Sequence, residues 1–216
     1  MTEKAIDPRW QSPLAHRAVL GNPEKLGMTE TPFLGLLVLR GELTEIGDLV
    51  KKGTDISLSE KVGVVSQTNI KGLGDVRALW TSPDEWLLVT PIDQQAPLAD
   101  EITEALKGQH YQLVDVSDYY TCISVTGTVV RDCLAKLISF DLHPRYFTPG
   151  MAIATRLAHA GIWLWHYEEV PEEAETMRII IRRSHADYLW CLLAEAGREW
   201  GLPKQDPIGL VSLKVS

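Results

Sequence analysis

Apolar residues alternate with polar ones along the second half of the chain in a way that outlines one α+β unit. Tyr111–Thr126 reads as two extended pieces broken at Ser117-Asp118. A Gly127-Thr128 step leads into a helix with Val130, Leu134, Leu137 and Ile138 at helical spacing and Thr128 as its cap. Strands follow at Met151–Leu157 and Ile162–Tyr167, turning at Ala158–Gly161, then a return strand at Met177–Arg182. A last helix opens on Ser184 as N-cap with Asp187 three residues on, carries Leu189, Leu193, Ala196 and Trp200 on one stripe, and stops at Gly201 and Pro203.

The first half repeats the theme weakly. Phe33–Leu39 is apolar without alternation, as in a strand covered on both faces, although so short a run also fits a buried helical turn. Arg40–Glu60 shows poor periodicity. Val62–Val65 reads as a strand, with a glycine-containing turn at Asn69–Gly74. Arg77–Trp80 and Glu85–Val89 flank Thr81-Ser-Pro-Asp84, a hairpin turn. Leu98, Ile102, Ala105 and Leu106 make a helical face ending at Gly108. The expected fold class is α+β: two pseudo-repeated halves of antiparallel or mixed sheet, each covered by helices.

The expected division is an extended N-terminal arm at 1–32, a first half at 33–110, a second half at 111–201 and a C-terminal tail at 202–216. Pro8, Pro13, Pro23 and Pro32 break periodicity in the arm, while Trp10, Leu14, Leu20, Leu26 and Met28 are apolar anchors along it. It docks on its own domain or wraps a neighbouring chain; the sequence leaves both open. Ile208–Val215 reads as an edge strand or an ordered tail.

The run Ile162-Trp-Leu-Trp-His-Tyr167 changes the picture. In a strand, Trp163, Trp165 and Tyr167 share one face and Ile162, Leu164 and His166 the other, so both faces need cover. Helices cover one. The other half of the chain or another protein covers the second.

A net charge of −8 over 216 residues argues against nucleic acid or an anionic membrane as partner. No apolar run has the length of a membrane span and no signal peptide is evident, so a cytoplasmic setting is expected. Cys122, Cys133 and Cys191 lack a metal-like pairing and read as small buried hydrophobes in a reducing compartment.

Catalytic templates fit poorly. Neither phosphate-binding glycine motif is present. His159 and His166 are seven apart without nearby cysteine, and Glu168-Glu169 fall outside metal-ligand spacing. His143 precedes Pro144 in a loop, where a backbone hydrogen bond is the expected use. Asp115 and Asp118 bracket Ser117; the trio positions a substrate amine or, more simply, makes an Asx-type turn. No catalytic, cofactor-binding or metal-ligating residue is assigned.

Taken as a set, several strings resemble the gamma subunit of heterotetrameric sarcosine oxidase. They are Val114-Asp-Val-Ser-Asp-Tyr-Tyr120, Leu134-Ala-Lys-Leu137, Asp141-Leu-His-Pro144, Phe147-Thr-Pro-Gly150, Thr155-Arg-Leu-Ala158, Arg183–Trp190 and Trp80–Val89. The layout is more distantly similar to the folate-binding aminomethyltransferase fold, including the glycine-cleavage T-protein. The resemblance implies a complex that oxidises sarcosine to glycine, yielding hydrogen peroxide and formaldehyde or methylenetetrahydrofolate. It implies alpha, beta and delta partners that carry FAD, FMN, NAD, tetrahydrofolate and zinc, with none in this chain.

In aminomethyltransferases the strand matching Gly161–Trp165 begins with glycines and carries an acidic pair; here it has no carboxylate, which weighs against transferase chemistry. Two alternatives remain. One is a stand-alone folate-dependent protein with Asp115, Asp118 and Arg156 as polar candidates; the other is the equivalent subunit of an N-methylglutamate dehydrogenase type of complex. An isolated chain is expected to self-associate through apolar surface.

Overall fold

The computed structural model describes residues 11–167 and 174–208. Its strands form two antiparallel sheets. The first has five strands in the order β4-β5-β6-β3-β7, with β3 at Gly35–Gly41, β4 at Val65–Ile70, β5 at Gly74–Ser82, β6 at Glu85–Thr90 and β7 at Tyr111–Asp115. The second has six, β1-β2-β8-β11-β10-β9: β1 Leu20–Asn22, β2 Leu26–Thr31, β8 Tyr120–Gly127, β9 Ala152–Leu157, β10 Ala160–Tyr167 and β11 Glu175–Arg182. Helices α1 (Leu43–Thr54) and α2 (Gln95–Ala105) belong to the first sheet, α3 (Val130–Ala135) and α4 (Arg183–Ala196) to the second.

Alternation along the strands builds four layers. In β6, Trp86 and Leu88 join the helix-side core with Leu98, Ile102, Ile46 and Val50, while Leu87 and Val89 point to the space between the sheets. In β10, Ile162 and Leu164 pack towards α4, whose Leu189 and Leu193 are buried there, while Trp163, Trp165 and Tyr167 face the other sheet. The second layer over the tryptophan face is therefore the chain's own first half. Each fully buried leucine or isoleucine contributes about 1.5–3 kcal/mol.

The two sheets repeat one topology. Strand, helix, three antiparallel strands and helix run as β3-α1-β4-β5-β6-α2 and again as β8-α3-β9-β10-β11-α4, and the neighbour orders β4-β5-β6-β3 and β9-β10-β11-β8 correspond. In the first sheet the strand after α2, β7, completes the row beside β3. In the second, that place beside β8 is filled by β2 from the N-terminal region. Residues 35–115 thus form a continuous unit set between two paired neighbours, β2 and β8.

Several expectations change here. Residues 20–31, read as part of an arm without a packed element, are a hairpin in the second sheet, with Leu26 and Met28 fully buried. Strand β7, read as the start of the second half, pairs with β3 of the first. The poorly periodic Arg40–Glu60 contains α1: Leu43, Ile46 and Val50 do share a face, diluted by Gly47, Gly53, Lys51 and Lys52. Thr128 does not cap α3, whose N-cap is Val129 without a side-chain bond. Nor does Ser184 cap α4, which starts one residue earlier from Arg182. Residues 209–216 of the expected edge strand or tail, and Glu168-Glu169, lie outside the described residues.

Among the described residues, no helix is long and apolar enough to cross a membrane.

Candidate functional site

At one end of the inter-sheet space the hairpin β5–β6 and the strands β8, β10 and β11 border a cleft of about 430 Å³. Tyr120 and Trp163 form an aromatic wall, their ring centroids 4.8 Å apart. Glu85 enters from the first sheet, where its Oε1 accepts from Thr81 Oγ1 at 3.0 Å. Arg182 enters from the second, its guanidinium 5.5 Å from the Tyr119 ring centroid, with His159 and His185 at the rim. Burial pushes the Tyr120 phenol up, against the opposing pull of Arg182. One face offers planar rings for stacking, and the cleft carries charged side chains of either sign, Glu85 and Arg182.

Asp115, Ser117 and Asp118 sit where the chain passes from the first sheet to the second. Asp115 Oδ1 accepts from the Ser117 amide at 2.9 Å and its hydroxyl at 2.6 Å, and Ser117 Oγ accepts from the Leu36 amide at 2.9 Å. Asp115 and Ser117 make the Asx-type turn, which fastens the crossing to β3, with Asp118 exposed beside them. It borders a cleft of about 320 Å³ with Asp93, Gln95 and Arg183. Arg156 is exposed on β9 opposite Gly161 and joins neither cleft, so the three polar candidates of the folate reading are not brought together.

His166 is 2% exposed beneath β10. Arg131 grips Glu175 with Nε and Nη2, both at 2.6 Å, and also donates to the carbonyls of Phe147 (3.0 Å) and Leu142. His166 Nε2 lies 3.6 Å from Glu175 Oε1 and Nδ1 3.4 Å from Arg131 Nη2. Burial lowers the His166 pKa; Glu175 opposes that and Arg131 adds to it. This network ties the 142–147 loop to the sheet. His143 Nδ1 accepts from the Arg145 amide at 3.2 Å, the local backbone role expected of it.

Asp187, expected to help cap α4, instead links Arg17 to Ile208: Oδ1 accepts from Arg17 Nε at 2.9 Å and Oδ2 from the Ile208 amide at 3.0 Å. Between the sheets, Arg178 stacks 3.4 Å from the Tyr167 ring centroid and Arg77 lies 4.9 Å from it. Sequence reading missed Glu85, Arg182, Arg77, Arg178 and Arg131, whose shared surroundings are set by strand order and by the facing of the two sheets. Among the described residues, no group of three or more His, Cys, Asp or Glu is placed to hold a metal ion.

Two facing antiparallel sheets with helices outside, built twice from one topology, define an aminomethyltransferase-type fold. The chain superposes on glycine cleavage system aminomethyltransferase T from Bartonella henselae with a TM-score of 0.62 over 81% of this chain and 47% of that one, at 12% identity, a likeness of fold alone. Within that fold the chain belongs to the sarcosine oxidase gamma subunit family, whose model matches residues 57–199.

Curated relatives agree. The gamma subunit of sarcosine oxidase from Corynebacterium sp. strain P-1 is 35% identical over 112 residues, and that from Arthrobacter sp. 37% over 91 residues. These matches span about half of either relative: 52% and 44% of its length, and 52% and 42% of this chain. The gamma subunit from Corynebacterium sp. strain U-96 is 28% identical over 88% of this chain and 91% of its own length. Among solved structures, a chain of the heterotetrameric sarcosine oxidase from Corynebacterium sp. U-96, in complex with pyrrole 2-carboxylate, matches with a TM-score of 0.77 and 27% identity, covering 92% of this chain and 100% of that one.

Proposed function

We propose that this chain is the gamma subunit of a heterotetrameric complex that oxidises sarcosine, and that its role there is structural. The observation that carries the reading is the match to a chain of such a complex from end to end of that chain. In this reading the complex converts sarcosine, oxygen and water to glycine, formaldehyde and hydrogen peroxide, or passes the one-carbon unit to tetrahydrofolate. The alpha, beta and delta partners supply FAD, FMN, NAD, tetrahydrofolate and zinc. Support for a non-catalytic role comes from the β10 strand, where Gly161–Trp165 offers no carboxylate, and from Asp115 and Ser117, whose side chains are engaged in a turn. A cytoplasmic location goes with the same reading.

The test is purification of the tagged chain from its host grown on sarcosine, with mass spectrometry of what accompanies it and an absorption spectrum of the eluate. Two larger chains and a small one in a yellow, sarcosine-oxidising eluate are expected. A colourless chain recovered alone, binding folate stoichiometrically, overturns the reading.

A further inference from the structure

Sheet edges expose unpaired backbone groups, and proteins cover them or use them. Three of the four edges here are very short or flanked in part by the chain's own segments. Along β4, Ser66 Oγ and Thr68 Oγ1 donate to the carbonyls of Ser57 and Asp55. β9 is flanked by the Ile138–Leu157 bridge, and β1 has three residues.

Among the described residues nothing pairs with the fourth edge, β7. The Val116 amide donates to Leu36 O, which fixes the parity of the β3–β7 ladder: Gln112 and Val114 turn their amides and carbonyls to β3, and Tyr111, Leu113 and Asp115 turn theirs outward. Among the described residues these outward groups have no hydrogen-bond partner. Outside them a groove of about 440 Å³ runs between β7 and α2, floored by Ala99 and Thr103, small enough to admit a large apolar side chain beside Leu113.

The molecule's own repeat shows this edge filled. β2 occupies in the second sheet the place of β7 in the first, and β2 carries a further antiparallel strand, β1, on its outer side. Among the described residues no strand takes the matching position beyond β7. Charge chooses the occupant. Asp115 and Asp118 on the crossing and Asp100 and Glu104 on α2 are exposed around the edge and outnumber the cations beside them, Lys107, which lies 3.9 Å from Glu104, and Arg183; the chain carries a net charge of −8. Two copies paired edge to edge would set these acids against each other. Gln95 Oε1, in the adjoining cleft, is a buried acceptor without a donor.

We infer that β7 accepts an extended, basic segment of a partner subunit as a sixth strand, antiparallel to β7, with an apolar side chain entering the α2 groove. This rests on the subunit reading above. The experiment is hydrogen–deuterium exchange on the native complex and on the isolated full-length chain, together with Leu113→Pro and Leu113→Ala variants expressed in the host. Proline at 113 removes an outward amide and leaves the β3 ladder intact.

Exchange at Tyr111, Leu113 and Asp115 is expected to slow roughly 100-fold in the complex. Leu113→Pro should lower recovery of partner chains at least about tenfold relative to Leu113→Ala while the variant stays folded, and Asp100→Lys/Glu104→Lys should lower it further at low salt. If the complex assembles and the three amides exchange as in the free chain, the inference is overturned and the subunit reading stands. Failure of any larger chain to copurify removes both. Protection that instead grows with concentration of the free chain identifies a second copy as occupant and overturns the basic-partner assignment.

Discussion

Replacing Arg131 by methionine tests the network beneath β10. The substitution keeps an unbranched apolar stem and removes the guanidinium that donates to Glu175, Phe147 and Leu142. Arg131 is 14% exposed and Glu175 34%. Breaking a well-buried pair costs about 3–5 kcal/mol because one charge is left uncompensated. Glu175 is open enough to regain water, which removes much of that, and the two orphaned carbonyls add back about 1 kcal/mol each. The net is about 3 kcal/mol. For a domain of this size each kcal/mol moves Tm by about 2–4 °C, so a drop of roughly 6–12 °C is expected. Urea denaturation of the variant alongside Glu175→Gln and the double variant gives the coupling, expected near 2 kcal/mol. A loss below about 1 kcal/mol for Arg131→Met would refute the view that this arginine holds the 142–147 loop to the sheet.

Three further outcomes follow from the same structure. His166 has a folded pKa below its ordinary 6.5, so the unfolded chain takes up a proton that the folded chain refuses; stability is full above that value and falls with decreasing pH, and His166→Gln should flatten the slope in urea titrations below about pH 6.5. Burial pushes Cys122 and Cys133 up to about 11. A disulfide reagent at mildly alkaline pH should therefore react slowly with the native chain at Cys191 alone, and with all three thiols in urea. Gly127 has φ +146°, and a Cβ there would stand 2.1 Å from the Lys25 carbonyl oxygen, so Gly127→Ala should cost about 3 kcal/mol or more by thermal melting.

Period-two and helical patterns made the α+β class, the β5–β6 and β9–β10 hairpins and α2 legible, because in each the apolar residues face one core and the turn chemistry is local. The tryptophan strand announced that both its faces are covered. What the sequence could not show was pairing between distant segments. Residues 20–31 look like a thread because their partners Thr126 to Cys122 lie about 100 positions on. Helix α1 escaped because two glycines and a lysine pair interrupt its stripe. Asp187 suits a cap by spacing, yet its carboxylate is taken up by Arg17 and the Ile208 amide, both remote in sequence. Glu85 and Arg182 meet in one cleft from different sheets, and the open side of β7 exists only once the strand order is known.

The nested arrangement of the sheets also sets an order of events during synthesis. Hairpin β1–β2 leaves the ribosome first, but the strand it must lie against, β8, is made only after residues 35–115 have emerged. At about 5–20 residues per second that interval is of order 5–20 s, long enough for the five-stranded sheet to close on its two helices while the hairpin is still without a neighbour. The N-terminal strands must then be held or sheltered until the second sheet arrives. A nascent chain stalled after residue 115 would therefore present Leu26 and Met28 to chaperones, and one stalled after β11 would not.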